Sequence, residues 1–106
     1  MVQNQNLKIM GRFAQKVKKD YSDAKIYLFG SRAGKDFLKT SDFDVLIVSQ
    51  LFEQKPFFRR ASKMYDYWDN PSLLEAFCYT PAELEAKKNQ IGFVQNALKT
   101  SVKIQA

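Results

Sequence analysis

The most reactive chemistry in the sequence sits in two short stretches, Gly30-Ser31-Arg32-Ala33-Gly34-Lys35 and Ser41-Asp42-Phe43-Asp44. Two glycines and a serine at a turn form the kind of backbone N–H nest that holds anions. Arg32 and Lys35 add cations beside it: an arginine grips phosphate oxygens through a planar fork, and a lysine acts as a point charge. Asp42 and Asp44 are two residues apart, so along a strand both carboxylates project from one face. Side by side they repel each other unless something positive lies between them. Oxygen-only ligands suit magnesium or manganese rather than zinc. A phosphate cradle beside a carboxylate pair is the arrangement that metal-assisted phosphoryl transfer requires. Each half alone has a plainer reading, since Gly-Ser turns usually only turn the chain and Ser-Asp before a strand is often a cap. Placed together on adjacent strand ends, they are hard to explain as packing.

Composition narrows the chemistry further. The chain has 106 residues, no histidine and a single cysteine, Cys78. Ser-His-Asp and Cys-His catalysis, histidine-ligated metals and an intrachain disulfide are therefore excluded. Any catalysis must run on carboxylates, hydroxyls, lysine or arginine. Apolar residues make up 45% and charged residues 26%, which is globular rather than disordered. The longest apolar run, Val45-Leu46-Ile47-Val48, is far short of the ~20 residues of a membrane span, and the polar N-terminus has no signal-peptide core. A cytoplasmic protein with no membrane partner is expected. The net charge of +6 favours an anionic partner but is spread in small groups, with no basic arm.

The elements that must position these residues follow from periodicity. Ile9, Met10, Phe13, Ala14 and Val17 recur at helical spacing between Asn6 and Tyr21, with lysines on the opposite face. Lys25 to Phe29 is a short β-branched and aromatic strand that stops at Gly30, and Phe43 to Val48 is a second. Pro56 opens a helix bearing Phe57, Phe58, Ala61, Met64, Tyr65 and Trp68 and ending near Asp69-Asn70-Pro71. Phe57 and Trp68 are expected in the core. Leu73 to Tyr79 reads as a third strand. It runs into Thr80-Pro81-Ala82-Glu83, a capping box that starts a helix through Lys87 or Lys88. A last helix holds Ile91, Val94, Ala97 and Leu98, and Val102-Lys103-Ile104 adds an edge strand or frays. The order is α-β-turn-β-α-β-α-α, an α/β (α+β) layer pair with no repeat or linker, read as one domain over 1–106.

With these residues in place, the sequence resembles a known family. Leu28-Phe29-Gly30-Ser31-Arg32-Ala33, ten residues between Ser31 and Asp42, and then Ser41-Asp42-Phe43-Asp44-Val45-Leu46 look like the signature of the minimal nucleotidyltransferases, in the DNA polymerase β-like superfamily. Leu74 to Leu84 resembles that family's third core strand and following helix. The resemblance implies the nucleotidyltransferase fold, a small mixed β-sheet flanked by helices. It implies that Gly30, Ser31, Arg32, Lys35 and Ser41 bind the triphosphate of ATP, and that Asp42, Asp44 and Glu75 are the catalytic carboxylates and the ligands of two Mg2+ ions. Asp66 and Asp69 are weaker candidates for the third carboxylate, on a helix and its end.

The implied reaction moves a nucleoside monophosphate, most simply AMP from ATP, to a hydroxyl acceptor. Similar stand-alone proteins are antitoxins of toxin-antitoxin modules paired with a HEPN-domain ribonuclease, which makes a HEPN tyrosine the implied acceptor. Lys35 stands where the family often has glycine, and Glu75 where aspartate is commoner. These departures leave a second reading open, a protein-binding module with weak or no catalysis. The nine Phe, five Tyr and one Trp make a homodimer conceivable through an exposed apolar patch. Nucleic acid is not an expected partner, because no aromatic-basic interleaving builds a stacking platform.

Overall fold

A computed structural model describes residues 4–34, 42–90 and 92–105. Helix α1 (Asn4–Asp20) leads into strand β1 (Lys25–Phe29) and a 3-10 turn over Gly30–Ala33. Strand β2 (Phe43–Val48) is followed by helix α2 (Phe57–Met64) and strand β3 (Leu74–Tyr79), then helices α3 (Pro81–Lys88) and α4 (Phe93–Thr100) and the short strand β4 (Val102–Lys103). The strands form one mixed sheet in the order β3-β2-β1-β4. β2 is antiparallel to β1 and parallel to β3, and β4 pairs antiparallel with β1 at the edge. This is the mixed α+β fold, in the element order, that the sequence led us to expect. Among the described residues, no helix is long and apolar enough to cross a membrane.

The pleat of β2 explains why an apolar residue separates the two aspartates. Phe43, Val45 and Ile47 point to one face of the sheet, and Asp44, Leu46 and Val48 to the other. The first face is covered by α1 and α2. Met10, Phe13 and Val17 pack there with Ile26, Leu28, Phe43, Val45, Leu74, Phe52 and Met64, all essentially without solvent contact. The second face is covered by α4, where Val94 and Ala97 meet Phe29, Leu46, Val48 and Tyr79. Asp44 lies on this face at the end of β2, opposite Phe29.

The α2 register departs from expectation. Arg60 and Met64, one turn apart, are the buried positions, while Phe57 is 47% and Phe58 69% exposed. Phe57 was expected in the core but sits at its margin, tilted against Tyr79 with ring centroids 5.4 Å apart and with the Arg60 guanidinium 5.8 Å over its ring. The physical reason is that Arg60 has specific work inside. Its guanidinium donates to the carbonyls of Lys55 and Cys78 and forms a two-pronged pair with Glu83. Glu83 in turn closes the expected capping box by accepting from the Thr80 amide, while Thr80 Oγ1 accepts from the Glu83 amide. Trp68 is half-buried, edge-on to Phe13 and Phe43, in line with its expected packing role. Replacing Arg60 with leucine leaves two carbonyls and the Glu83 carboxylate without their donor. Chemical denaturation should show a loss of about 2–4 kcal/mol, and a loss below about 1 kcal/mol would mean that the Arg60 network is incidental.

Candidate functional site

The sheet register assembles the site. Phe29 on β1 lies opposite Asp44 on β2, and Asp44 opposite Glu75 on β3, so the three side chains stand in one row on the same face. Asp42 immediately precedes β2 on the same side of its pleat. The structure thus sets Asp44 against Glu75, with Asp42 near enough to act on Asp44 through its charge. Asp44 and Asp42 are half-buried and Glu75 is exposed. Asp66 and Asp69 lie elsewhere as surface ion pairs, Asp66 with Lys63 and Asp69 with Arg12 and Lys16.

Gly30 has φ of +73°, the left-handed region that an L side chain enters only at a cost. It also faces Asp44: a Cβ built on Gly30 would overlap the Asp44 carboxylate oxygen. Both features require glycine, and the second requires it because of the aspartate. The turn that follows carries an exposed Ser31 beside this carboxylate, and the Gly34 amide closes it onto the Ser31 carbonyl at 3.2 Å.

Arg32 is buried, and its guanidinium turns inward. It lies over the Phe43 ring at 4.2 Å and donates to Asn6 Oδ1 and Ser72 Oγ, while the Asn6 amide donates to the Arg32 carbonyl. Burial draws its pKa down and the charge of Asp42 acts against that. Asn6, 1% exposed among the apolar residues of α1, was not singled out in the sequence. The signal was there: a polar residue at a core position of an amphipathic helix needs a buried partner. The two other expected phosphate-binding residues, Lys35 and Ser41, lie outside the described residues.

Asp44 is the electrostatic centre. Its pKa is pushed up to about 6, first by burial, then by a hydrogen bond with the Glu75 carboxyl and by the charges of Glu75 and Asp42. Two carboxyls in hydrogen-bonding contact share a proton at the pH where the first ionises. Among the described residues, no group of three or more acidic, cysteine or histidine side chains is placed to hold a metal ion. The donor chemistry fits a hard divalent cation all the same. The site offers carboxylate oxygens alone, holds two of them in unfavourable contact, and keeps the space beside them clear at Gly30.

A sequence model of the nucleotidyltransferase domain matches residues 10–104. The chain belongs to the nucleotidyltransferase domain family. Two crystal structures agree. One, a candidate nucleotidyltransferase from Sulfolobus solfataricus, superposes with a TM-score of 0.66 at 22% identity, over 93% of this chain and 78% of that one. A second candidate nucleotidyltransferase has a TM-score of 0.50 and 33% identity, over 74% of this chain and 86% of that one. The chain has no significant match among curated proteins. The nucleotidyltransferase is a transferase enzyme with a nucleotide as substrate, and its activity is nucleotidyl transfer in the general sense.

Two outcomes test the site's electrostatics. An aspartate whose folded pKa is near 6 rather than 3.8 keeps its proton in the native state over the interval where the unfolded chain loses it. Stability therefore falls as pH rises from about 4 to about 6, and the full penalty is present above that. Asp44→Asn should stabilise the metal-free protein at pH 7. After discounting for solvent screening the gain is on the order of 1 kcal/mol, a rise in Tm of roughly 4–8 °C. The gain should vanish below pH 4, and a variant no more stable than wild type at pH 7 contradicts the account. Gly30→Ala should cost about 3 kcal/mol from backbone strain and overlap together. In an Asp44→Gly background the overlap is gone, and denaturation should show only the backbone share of about 1–2 kcal/mol.

Proposed function

We propose that the protein transfers AMP from ATP to a hydroxyl acceptor, with Asp42, Asp44 and Glu75 as the catalytic carboxylates. The observation that carries this reading is the Asp44–Glu75 contact beside Gly30. Like charges held together against their repulsion, at a backbone turn that only glycine fits, are costly for a fold and suited to a cation and a phosphate chain. Gly30 and Ser31 hold the β- and γ-phosphates through backbone N–H groups and the Ser31 hydroxyl. Lys35 and Ser41 extend this cradle. Arg32 acts as a positioning residue as well as a positive charge near Asp42, because its bonds to Asn6 and Ser72 tie the turn to α1 and to the start of β3.

Asp42 and Asp44 would hold two Mg2+ ions, with Glu75 completing one of the sites. Bound there, the ions supply charge neutralisation at the phosphoryl oxygens and lower the pKa of the attacking hydroxyl. In the reaction, the acceptor oxygen forms a bond to the α-phosphorus and the bond from the α-phosphorus to the bridging oxygen of pyrophosphate breaks. The acceptor proton passes to the Glu75 carboxylate and from there to solvent. A chain of 106 residues has little left over to build an acceptor pocket, which is consistent with an acceptor carried on another macromolecule, namely a tyrosine of a HEPN-type partner in a toxin-antitoxin pair. A homodimer and a cytoplasmic location fit the same reading.

The second reading, a docking module of the same fold, is favoured by the longer Glu75 side chain. A calorimetric titration with ATP and magnesium separates the two. Wild type should bind, and the Asp42→Asn, Asp44→Asn double variant should lose at least tenfold in affinity, with AMP transfer to a tyrosine acceptor abolished. Equal behaviour of both proteins would leave docking as the function.

A further inference from the structure

The sheet face that carries the carboxylates also carries aromatic rings, and α4 adds one over them. Phe29 stands directly opposite Asp44, and Phe77 is two residues beyond Glu75 on β3, hence on the same face and about 6.6 Å further along. Phe93, the first residue of α4, lies over both, with ring centroids 5.5 Å from Phe29 and 4.8 Å from Phe77. The interplanar angles are 74° and 51°, so neither neighbour stacks parallel on Phe93. The buried stripe of α4 is Val94 and Ala97, and Phe93 stays 50% exposed in spite of its two contacts. Packing alone does not require a phenyl ring there. Beside it opens a cavity of ≈ 160 Å³ lined by Tyr79, Lys87, Gln90, Gly92 and Val94 together with Phe93. Its lining is mixed, with Tyr79 and Phe93 aromatic and Lys87 and Gln90 polar. The Gln90 amide offers both a donor and an acceptor to a planar ligand's edge.

From this we infer that Phe93 is the platform on which the nucleobase of the nucleotide stacks, with the cavity bounded by Gln90 and Lys87 receiving the base edge. The inference rests on the nucleotide reading above and adds to it the recognition of the base. Its occupant follows from position. The ring lies one step along the sheet face from the carboxylates and on the same side, so a nucleotide whose phosphates sit at Gly30 and Ser31 can extend its base along that face. Stacking on an aromatic ring tolerates any base, and Gln90 supplies the selectivity that stacking lacks.

The test compares Mg·ATP with Mg·tripolyphosphate, which carries the phosphates and no base. Calorimetric titrations would be run on wild type, Phe93→Leu and Phe93→Tyr. Wild type should bind ATP more tightly than tripolyphosphate. Phe93→Leu should lose about tenfold in ATP affinity with tripolyphosphate unchanged, and Phe93→Tyr should bind ATP as wild type does. If wild type binds both ligands equally, or Phe93→Leu keeps full ATP affinity, the platform is overturned while the triphosphate site stands. An equal loss of both ligands in Phe93→Leu also overturns it, because the residue then supports the fold and not the base. If wild type binds neither ligand, the nucleotide reading fails and takes the platform with it.

Discussion

Everything at the open end of this sheet depends on one register. Because side chains alternate along a strand, a slip of one residue between β1, β2 and β3 would send Asp44 into the core and Phe43 into solvent. What holds the register is the opposite face, where Phe43, Val45, Leu74, Leu28 and the apolar stripe of α1 exclude water completely. Burying a single large apolar side chain contributes about 1.5–3 kcal/mol, and many are buried there. Against that, the repulsion of a half-buried Asp44 with Glu75 is a small opposing term. The fold can hold two carboxyls in contact because the core behind them has no other way to pack.

The second face shows how a small sheet divides itself between stability and chemistry. At the C-terminal end of β2, Val48 and Tyr79 pack against α4, while Arg60 and the Thr80–Glu83 capping box lock α3 to α2. At the N-terminal end the same face carries Asp44 and Glu75. Arg32 belongs to both regimes. Its guanidinium fills a buried position over Phe43, and its backbone forms the turn beside the carboxylates. The Arg32 guanidinium acts through rigidity as much as through charge, since Asn6 and Ser72 fix it from α1 and from the loop before β3.

Much of this was legible in the sequence because the deciding patterns are local. The strand bounds Lys25–Phe29 and Phe43–Val48 follow from composition and turn residues, and the capping box from four consecutive residues. Asp42, Asp44 and Gly30 are recognisable by type and spacing, and Glu75 through the resemblance of Leu74 to Leu84 to the family's third core strand. Features that depend on distant partners were not legible. The inward turn of Arg32 requires Asn6, 26 residues away, and Ser72, 40 residues away. The exposure of Phe57 follows from Arg60 taking the buried position, which its charge disguised. Phe93 lies just off the stripe that defines its helix, so periodicity treats it as unremarkable, and only Phe29 and Phe77 on two different strands give it a place.

Strain and ligand binding are linked through the same atoms. A carboxyl pushed up to about 6 in the free protein is a group that the native state holds unfavourably at neutral pH. Whatever neutralises it, a proton or a cation with its phosphates, stabilises the native fold in proportion to how much better it binds there than to the unfolded chain. On the proposed reading, a nucleotide seated across Gly30, the carboxylates and Phe93 bridges β1, β2, β3 and the start of α4. It would add to the contacts that α4 already makes with Phe29 and Phe77, so the order of this end of the sheet and the readiness of the site for an acceptor would rise together.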